Sequence, residues 1–219
     1  MNDIWNEFRV LFEEENKEEA VSYIINKLHN KEIDVIELYS SILTPLLNNL
    51  ECKPEEKTIA VWKEHVKTAI VRTIVECSYP YVIEKRKQLD KPKRGVAAVL
   101  CPPEEYHDLG ARMVADFFTV CGYDAIFVGG CTPLKDFYHA VPVIKPEIVA
   151  ISVSNYYNLV AAKRMIRELK EAVTYPLKIV VGGHAFQTDV EAKVAAVGAD
   201  YYARTFADIV KLTDREVTL

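Results

Sequence analysis

The stretch EEYHDLG, Glu104–Gly110, brings carboxylates, one imidazole and a glycine together within a few residues. A histidine here could pack beside a helix start, act as a general base or bind a metal, and Glu105 is placed to accept a hydrogen bond from one ring nitrogen. One imidazole is too few to hold a free metal ion, because protein metal sites use several ligands. It suffices as one axial ligand of a metal that a macrocycle already holds.

The sequence has no standard motif for nucleotide binding or for nucleophilic catalysis by serine. Neither Gly129-Gly130 nor Gly182-Gly183 belongs to a G-x-G-x-x-G sequence or a P-loop, so no nucleotide fingerprint is present. Ser152 and Ser154 could meet His107, but they lie along an apolar run without a G-x-S-x-G elbow. Positions in a buried strand are the plain alternative for both serines.

The second half of the chain must position these residues. Five apolar runs alternate there with amphipathic runs, which predicts a parallel sheet covered by helices on both faces. The predicted strands are GVAAVLC, YDAIFVGG, EIVAISVS, LKIVVGG and ADYYA. Open sheets of this kind bind ligands at the carboxyl ends of their strands, near the topological switch point. In a flavodoxin-like strand order, Glu104–Gly110, Ser152–Ser154 and Gly182-Gly183 converge at one edge.

The first half has helical periodicity and predicts four amphipathic helices that form a bundle. These cover Asn2–Glu14, Glu18–His29, Ile33–Leu50 and a long segment from Pro54 through Thr73, which a turn at Tyr79-Pro80-Tyr81 closes. A charged linker, EKRKQLDKPKRG, follows. The predicted fold class is therefore α/β, with an N-terminal four-helix bundle over residues 1–88 and a flavodoxin-like (Rossmann-type) five-stranded parallel sheet over residues 89–219.

Composition limits the partners. The chain has 219 residues and a net charge of −5, its first helix is acidic, and it has no direct nucleic-acid-binding motif. No apolar run is long enough to cross a membrane. Five cysteines without a C-x-x-C pair indicate a reducing cytoplasm and neither a zinc cage nor a disulfide framework.

EEYHDLG, SVS and GG, in this order, resemble the cobalamin-binding domain, whose pattern is D-x-H-x-x-G, S-x-L and G-G. The first half resembles the helical cap of methionine-synthase-type modules. The resemblance implies cobalamin, as adenosylcobalamin or methylcobalamin, with His107 replacing the cofactor's benzimidazole as lower cobalt ligand and Glu105 accepting the other imidazole proton. Asp108 and Leu109 belong to the same motif and are expected to contact the cofactor.

The resemblance also assigns roles to the later motifs. Gly110 leaves room for the displaced nucleotide tail, and Gly182 and Gly183 let the backbone approach that tail. Ser152 helps hold the histidine network or the tail. Two residues depart from the pattern: Glu105 stands in place of aspartate, and Ser154 in place of leucine.

The stretch WKEHVKTAIVR resembles the cap helix of cobalamin-dependent photoreceptors, which carries an E-H pair over the upper cobalt face. Here the pair is Glu64-His65, which makes His65 a candidate upper cobalt ligand. Trp62 neighbours His65 on one helix face and is a candidate lid, although its place in the apolar stripe favours core packing. The position of the photoreceptor tryptophan is occupied by Pro54.

Three functions follow. The first is a cobalamin-binding sensor or regulator, with light as one candidate signal, which acts through an unidentified protein partner or a homo-oligomer and has no catalytic residues. The alternative is a corrinoid methyl-carrier subunit of a methyltransferase system. The third is an interaction protein that retains the fold without the cofactor.

Overall fold

The computed structural model describes residues 2–50 and 54–214. The chain divides into two compact units, Met1–Gln88 and Leu89–Leu219. Within the described residues, no helix has both the length and the hydrophobicity to cross a membrane.

The first unit is helical. Its α-helices are α1 (Asn2–Glu13), α2 (Lys17–His29), α3 (Val35–Glu37), α4 (Thr44–Asn48), α5 (Ala60–Cys77) and α6 (Tyr79–Leu89). Helices α3 and α4 are joined by a π-helix, Leu38–Leu43, and a 3-10 helix, Pro54–Ile59, precedes α5. The helical character of this half is as predicted, but its segmentation is not: the third predicted helix contains the π-helix, and the predicted Tyr79-Pro80-Tyr81 turn begins a further helix. Proline is compatible with that position because the first helical turn needs no N–H donor there.

The start of α3 is fixed by a capping box. The Asp34 carboxylate accepts hydrogen bonds from the backbone amides of Ile36 and Glu37, while the Glu37 side chain accepts one from the Asp34 amide. Lys85 of α6 donates to the same aspartate at 2.7 Å. These contacts tie α6 to the beginning of α3 within the helical unit.

The second unit is a five-stranded parallel sheet with the strand order β2-β1-β3-β4-β5. The strands are β1 (Val96–Leu100), β2 (Asp124–Gly129), β3 (Ile148–Ser152), β4 (Lys178–Gly182) and β5 (Tyr201–Tyr202). The connecting and terminal helices are α7 (Leu109–Val120), α8 (Leu134–Ile144), α9 (Leu159–Ala172), α10 (Val190–Val197) and α11 (Phe206–Asp214). The flavodoxin-like order is confirmed, and it places the switch point between β1 and β3.

The core explains this arrangement. The central strands β1 and β3 are buried almost throughout, as expected for strands covered by helices on both faces. One large apolar cluster joins residues of the sheet with residues of α8, α9 and α10, including Ile151, Met165 and Val197. The charged linker is also used in packing, because Lys91 and Arg94 both form ion pairs with Asp214 of α11.

Candidate functional site

The segment between β1 and α7 forms a tight turn at the carboxyl edge of the sheet. Glu104 takes a left-handed backbone conformation with φ 63°, and the amide of Glu105 donates to the carbonyl of Pro102. Gly130, just beyond β2, lies so close that a Cβ there would be 2.8 Å from the carbonyl oxygen of Glu105. The backbone of β2 therefore supports the turn from one side.

Glu105 orients His107. The carboxylate oxygen Oε1 accepts a hydrogen bond of 2.7 Å from Nδ1 of the His107 ring and one of 3.1 Å from the His107 backbone amide. The Glu105 side chain is 1% exposed, whereas the His107 side chain is 58% exposed. Because Nδ1 donates to the carboxylate, the neutral ring carries its lone pair on Nε2, the nitrogen that binds a metal in this tautomer.

The second oxygen of Glu105 connects the turn to the segment after β3. Oε2 accepts hydrogen bonds from the backbone amides of Ser154 at 3.0 Å and Asn155 at 2.8 Å, and from Nδ2 of Asn158 at 3.0 Å. One buried carboxylate thus joins the carboxyl ends of β1 and β3. The predicted convergence of these two strand ends is confirmed.

Glu105 is held as an anion. Burial alone would raise its pKa, but the hydrogen bonds from Asn155, Asn158 and His107 outweigh that effect and hold the pKa below its ordinary value. A buried carboxylate with this set of N–H donors is a fixed negative charge behind the imidazole. Such a charge raises the basicity of a histidine ligand and fixes the direction of its ring.

Comparison with known proteins identifies the family of the second unit. The "B12 binding domain" family matches residues 95–210, which is more than half of the chain. The chain belongs to the B12-binding domain family. Its cofactor is cobalamin, as the resemblance implied, and the second unit is the B12-binding domain.

Individual relatives have low sequence identity to this chain and match only part of it. Trimethylamine corrinoid protein 1 of Methanosarcina mazei is 30% identical over 129 residues, which cover 58% of each chain. The HTH-type transcriptional repressor CarH of Myxococcus xanthus is 25% identical over 150 residues, which cover 68% of this chain and 48% of CarH. The matched region therefore spans about three fifths or less of these relatives.

The solved structure of the Methanosarcina barkeri monomethylamine corrinoid protein has the same fold. It superposes with a TM-score of 0.81 over 99% of both chains, at 17% sequence identity. The similarity covers the helical unit as well as the B12-binding domain.

Gly110 lies in the first turn of α7, beside Ser152. Glycine inside a helix lowers helix stability relative to alanine, so its presence needs a reason. Among the described residues outside the backbone of α7, a Cβ on Gly110 would come within 4 Å of the Ser152 hydroxyl alone, at an ordinary contact distance of 4.0 Å, so close packing does not require a glycine there. The role of Gly110 toward the nucleotide tail stays a prediction.

Gly182 and Gly183 have a different explanation. A Cβ on Gly182 would lie 2.5 Å from the carbonyl oxygen of Ala203, and one on Gly183 would lie 2.4 Å from that of Val153. Gly183 also has φ 102°, in the region that favours glycine. The fold itself therefore requires both glycines, and a role in approaching the tail stays a prediction.

The two serines contribute differently to the network around Glu105, and a contact of either with the cofactor tail stays a prediction. The hydrogen bonds to Glu105 within the described residues come from other groups than the hydroxyl of Ser152, although that hydroxyl borders the space at Gly110. Ser154 contributes its backbone amide to Glu105, a contact that does not depend on the side chain at this position. Of the remaining motif residues, Leu109 is buried and Asp108 stands at the N-cap of α7.

Asn155 and Asn158 were missed by the sequence analysis. Both lie in the sequence SVSNYYN, immediately after the third strand. Polar amides that follow a strand at the switch point were the available signal, because this edge collects the functional groups of an open sheet. The known pattern drew attention to the serines instead.

The candidate upper-face residues lie at the beginning of α5. Trp62, Glu64 and His65 are all exposed, and Trp62 is 69% exposed. The expected core packing of Trp62 is therefore wrong. The buried face of α5 starts only at Lys67 and continues through Ile70 and Ile74, so the first turns of this helix contribute no side chain to the core of the helical unit.

Proposed function

We propose that this chain is a corrinoid methyl carrier of a methyltransferase system, which binds cobalamin with His107 as the lower ligand of cobalt. The observation that carries the proposal is the pre-oriented His107 ring, held by buried Glu105 at the edge of a B12-binding domain. The names of the relatives support the finer function: several trimethylamine corrinoid proteins of Methanosarcina are about 30% identical to this domain.

Each residue has a defined part in this proposal. Nε2 of His107 would hold cobalt while Glu105 holds Nδ1, and Gly110 and Ser152 would lie beside the displaced nucleotide tail. Cobalamin, when bound, supplies a metal that accepts a methyl group from one partner and gives it to another. The protein keeps the lower face of the cofactor fixed and presents the other face to the methyltransferases.

Cofactor binding through His107 is tested with the whole chain and hydroxocobalamin. After desalting, we expect a retained red protein whose reduced cobalt(II) form shows the superhyperfine splitting of one nitrogen ligand by electron paramagnetic resonance. Growth of the protein with [¹⁵N]histidine changes that splitting from three lines to two if the nitrogen comes from histidine. The His107→Ala variant is expected to lose this signal, and His184→Ala, which changes another exposed histidine of the same unit, is expected to keep it.

A cobalamin-dependent sensor is the second candidate, and two observations favour it. The chain is similar to CarH over 150 residues, and exposed His65 lies one turn from exposed Trp62 on α5. A sensor requires His65 to bind the upper face of the cofactor when a bound group leaves. A methyl carrier requires that face to stay accessible to its partner enzymes.

The response to light distinguishes a methyl carrier from a sensor. The chain is loaded with adenosylcobalamin in the dark and analysed by sedimentation velocity before and after green illumination. A carrier keeps one assembly state, and its illuminated spectrum is the same in wild type and in His65→Ala. A sensor changes its assembly and acquires a two-histidine spectrum that His65→Ala removes, while His29→Ala, at another exposed histidine of the helical unit, leaves both responses unchanged.

A further inference from the structure

Asn158 joins a 3-10 helix, Tyr156–Asn158, to α9. It is the N-cap residue of α9, and its side chain makes no hydrogen bond to the first turn of that helix. Asparagine is a favoured N-cap because its side-chain oxygen accepts from the free amides there. In this chain its amide nitrogen instead donates to Oε2 of Glu105 at 3.0 Å.

The neighbouring asparagine provides a comparison within the same loop. Asn155 accepts a hydrogen bond of 3.0 Å from the backbone amide of Tyr157 and so caps the 3-10 helix Tyr156–Asn158. Asn158 is the last residue of that 3-10 helix, and α9 follows it directly, so Asn155 caps the start of the whole helical segment. The Asn158 side chain is therefore not needed as a cap and contacts the buried carboxylate of Glu105.

The two oxygens of Glu105 have separate partners. Oε1 faces the His107 turn, whereas Oε2 faces the segment after β3. Within the described residues, the donors to Oε2 are two backbone amides and the side chain of Asn158. The backbone amides are available whatever the sequence, so the side chain at position 158 is the adjustable part of this anchor.

We propose that Asn158 is a positioning residue for the lower cobalt ligand, acting on His107 through the carboxylate of Glu105. By holding Oε2, it fixes the rotation of the carboxylate and therefore the direction in which Oε1 accepts from Nδ1. The same contact explains why position 105 has glutamate in place of aspartate: the longer side chain reaches from the His107 turn to Asn158. The inference rests on the proposed role of His107.

The test begins without the cofactor, so that positioning and cofactor binding are measured separately. Asn158→Asp is the informative variant, because aspartate has the same shape and caps helices well but cannot donate to Glu105. Long-range proton–nitrogen NMR of the cofactor-free chain at pH 8 reports which ring nitrogen of His107 carries the proton. We expect wild type to have the proton on Nδ1 and the variant to have a mixture of both tautomers.

Binding of hydroxocobalamin is measured next. Loss of a residue that supports a metal ligand weakens metal binding by roughly 10- to 100-fold, so we expect the dissociation constant of the variant to rise by about 10-fold. Asn158→Ala is expected to shift the tautomer in the same direction but by less, because alanine adds no second negative charge beside Glu105. Gln187→Ala, which removes an exposed amide from the loop after β4, is the control and is expected to match wild type.

The outcomes distinguish the positioning role of Asn158 from the role of His107 as cobalt ligand. If both Asn158 variants fold and keep His107 protonated on Nδ1, Asn158 is not a positioning residue. If the tautomer changes while the affinity for hydroxocobalamin stays the same, positioning by Asn158 stands and the role of His107 as cobalt ligand fails. If Asn158→Asp does not fold, a change of tautomer in Asn158→Ala supports the inference and an unchanged tautomer overturns it.

Discussion

The carboxylate of Glu105 lies 2.7 Å from Nδ1 of His107, and it is buried although the ring it holds is largely exposed. The anchor is therefore part of the folded domain before any ligand arrives, and only the binding end of the histidine faces outward. A ring that is already oriented loses little freedom when it binds a metal, which favours binding. The geometry thus links a structural carboxylate to the chemistry of the cofactor.

Replacement of Glu105 is expected to affect stability as well as binding. In Glu105→Gln, one oxygen becomes an amide group that points at N–H donors, so buried donors lose their acceptor and a fixed charge is removed. We expect the free energy of unfolding of the B12-binding domain to fall by about 3 kcal/mol, measured by urea unfolding with far-UV circular dichroism. Glu104→Gln changes an exposed neighbour, and a comparable loss in that variant would contradict the explanation.

Alanine substitutions at two glycines are expected to have opposite effects on the cofactor-free chain. Gly110→Ala fits the open space beside Ser152 and should raise the free energy of unfolding by up to about 1 kcal/mol, as in other helices. Gly183→Ala meets the Val153 carbonyl at 2.4 Å in a left-handed conformation and should lower it by about 2 kcal/mol or more. Thermal unfolding of both variants measures this difference.

The Gly110→Ala variant is also tested for cobalamin binding. Gly110→Ala fills the space proposed for the tail, so its dissociation constant for hydroxocobalamin should rise although its fold is stable. A Gly110→Ala variant that binds as tightly as wild type would place the tail elsewhere.

The sheet could be predicted from the sequence because its signals are local. Each strand is a short apolar run, and each run ends in residues that favour turns, so the order of elements follows from the pattern. The segmentation of the helical unit was harder to predict, since the π-helix Leu38–Leu43 is a short insertion within a longer helical pattern. A segment of six residues is too short for its own apolar periodicity to be recognised.

The site was predictable in its main residues but not in its contacts. Glu105 and His107 lie two positions apart, so sequence spacing indicated their hydrogen bond. The donors to the other oxygen of Glu105 lie about fifty residues away, and two of them are backbone amides that no side-chain pattern reveals. Trp62 was wrongly predicted to be buried. An apolar stripe on a helix does not show whether the protein's own side chains cover that stripe.

Cysteine reactivity offers a test that is independent of the cofactor. Burial raises the pKa of Cys101 to about 12 and that of Cys121 to about 11, so both thiols are protonated and shielded in the folded chain. Cys77 and Cys131 are exposed. Iodoacetamide at pH 8 is expected to alkylate Cys77 and Cys131 within minutes and to spare Cys101 and Cys121 until urea is added, as followed by peptide mass spectrometry. Early labelling of Cys101 would show that the turn beside His107 opens readily.

The stability of the helical unit is expected to depend on pH through Asp34. Burial would raise the pKa of Asp34, but hydrogen bonds from Lys85 and from the backbone amides of Glu37 and Ile36 together lower it below its ordinary value. A carboxyl group whose pKa is lower in the folded state stabilises the fold fully above its unfolded pKa of about 3.9, and this contribution is lost as the pH falls through the folded value.

Asp34→Asn tests this sign. Asparagine also caps helices, so the variant loses mainly the partly exposed contact with Lys85, and we expect it to be less stable than wild type by about 0.5 kcal/mol at pH 7. The difference should narrow below pH 4, where wild-type Asp34 begins to take up its proton. Urea unfolding of both proteins between pH 7 and pH 3 measures the effect, with Lys85→Met as the matched variant that removes the other partner. A difference that stays constant down to pH 3 would mean that the contact contributes through packing and not through charge.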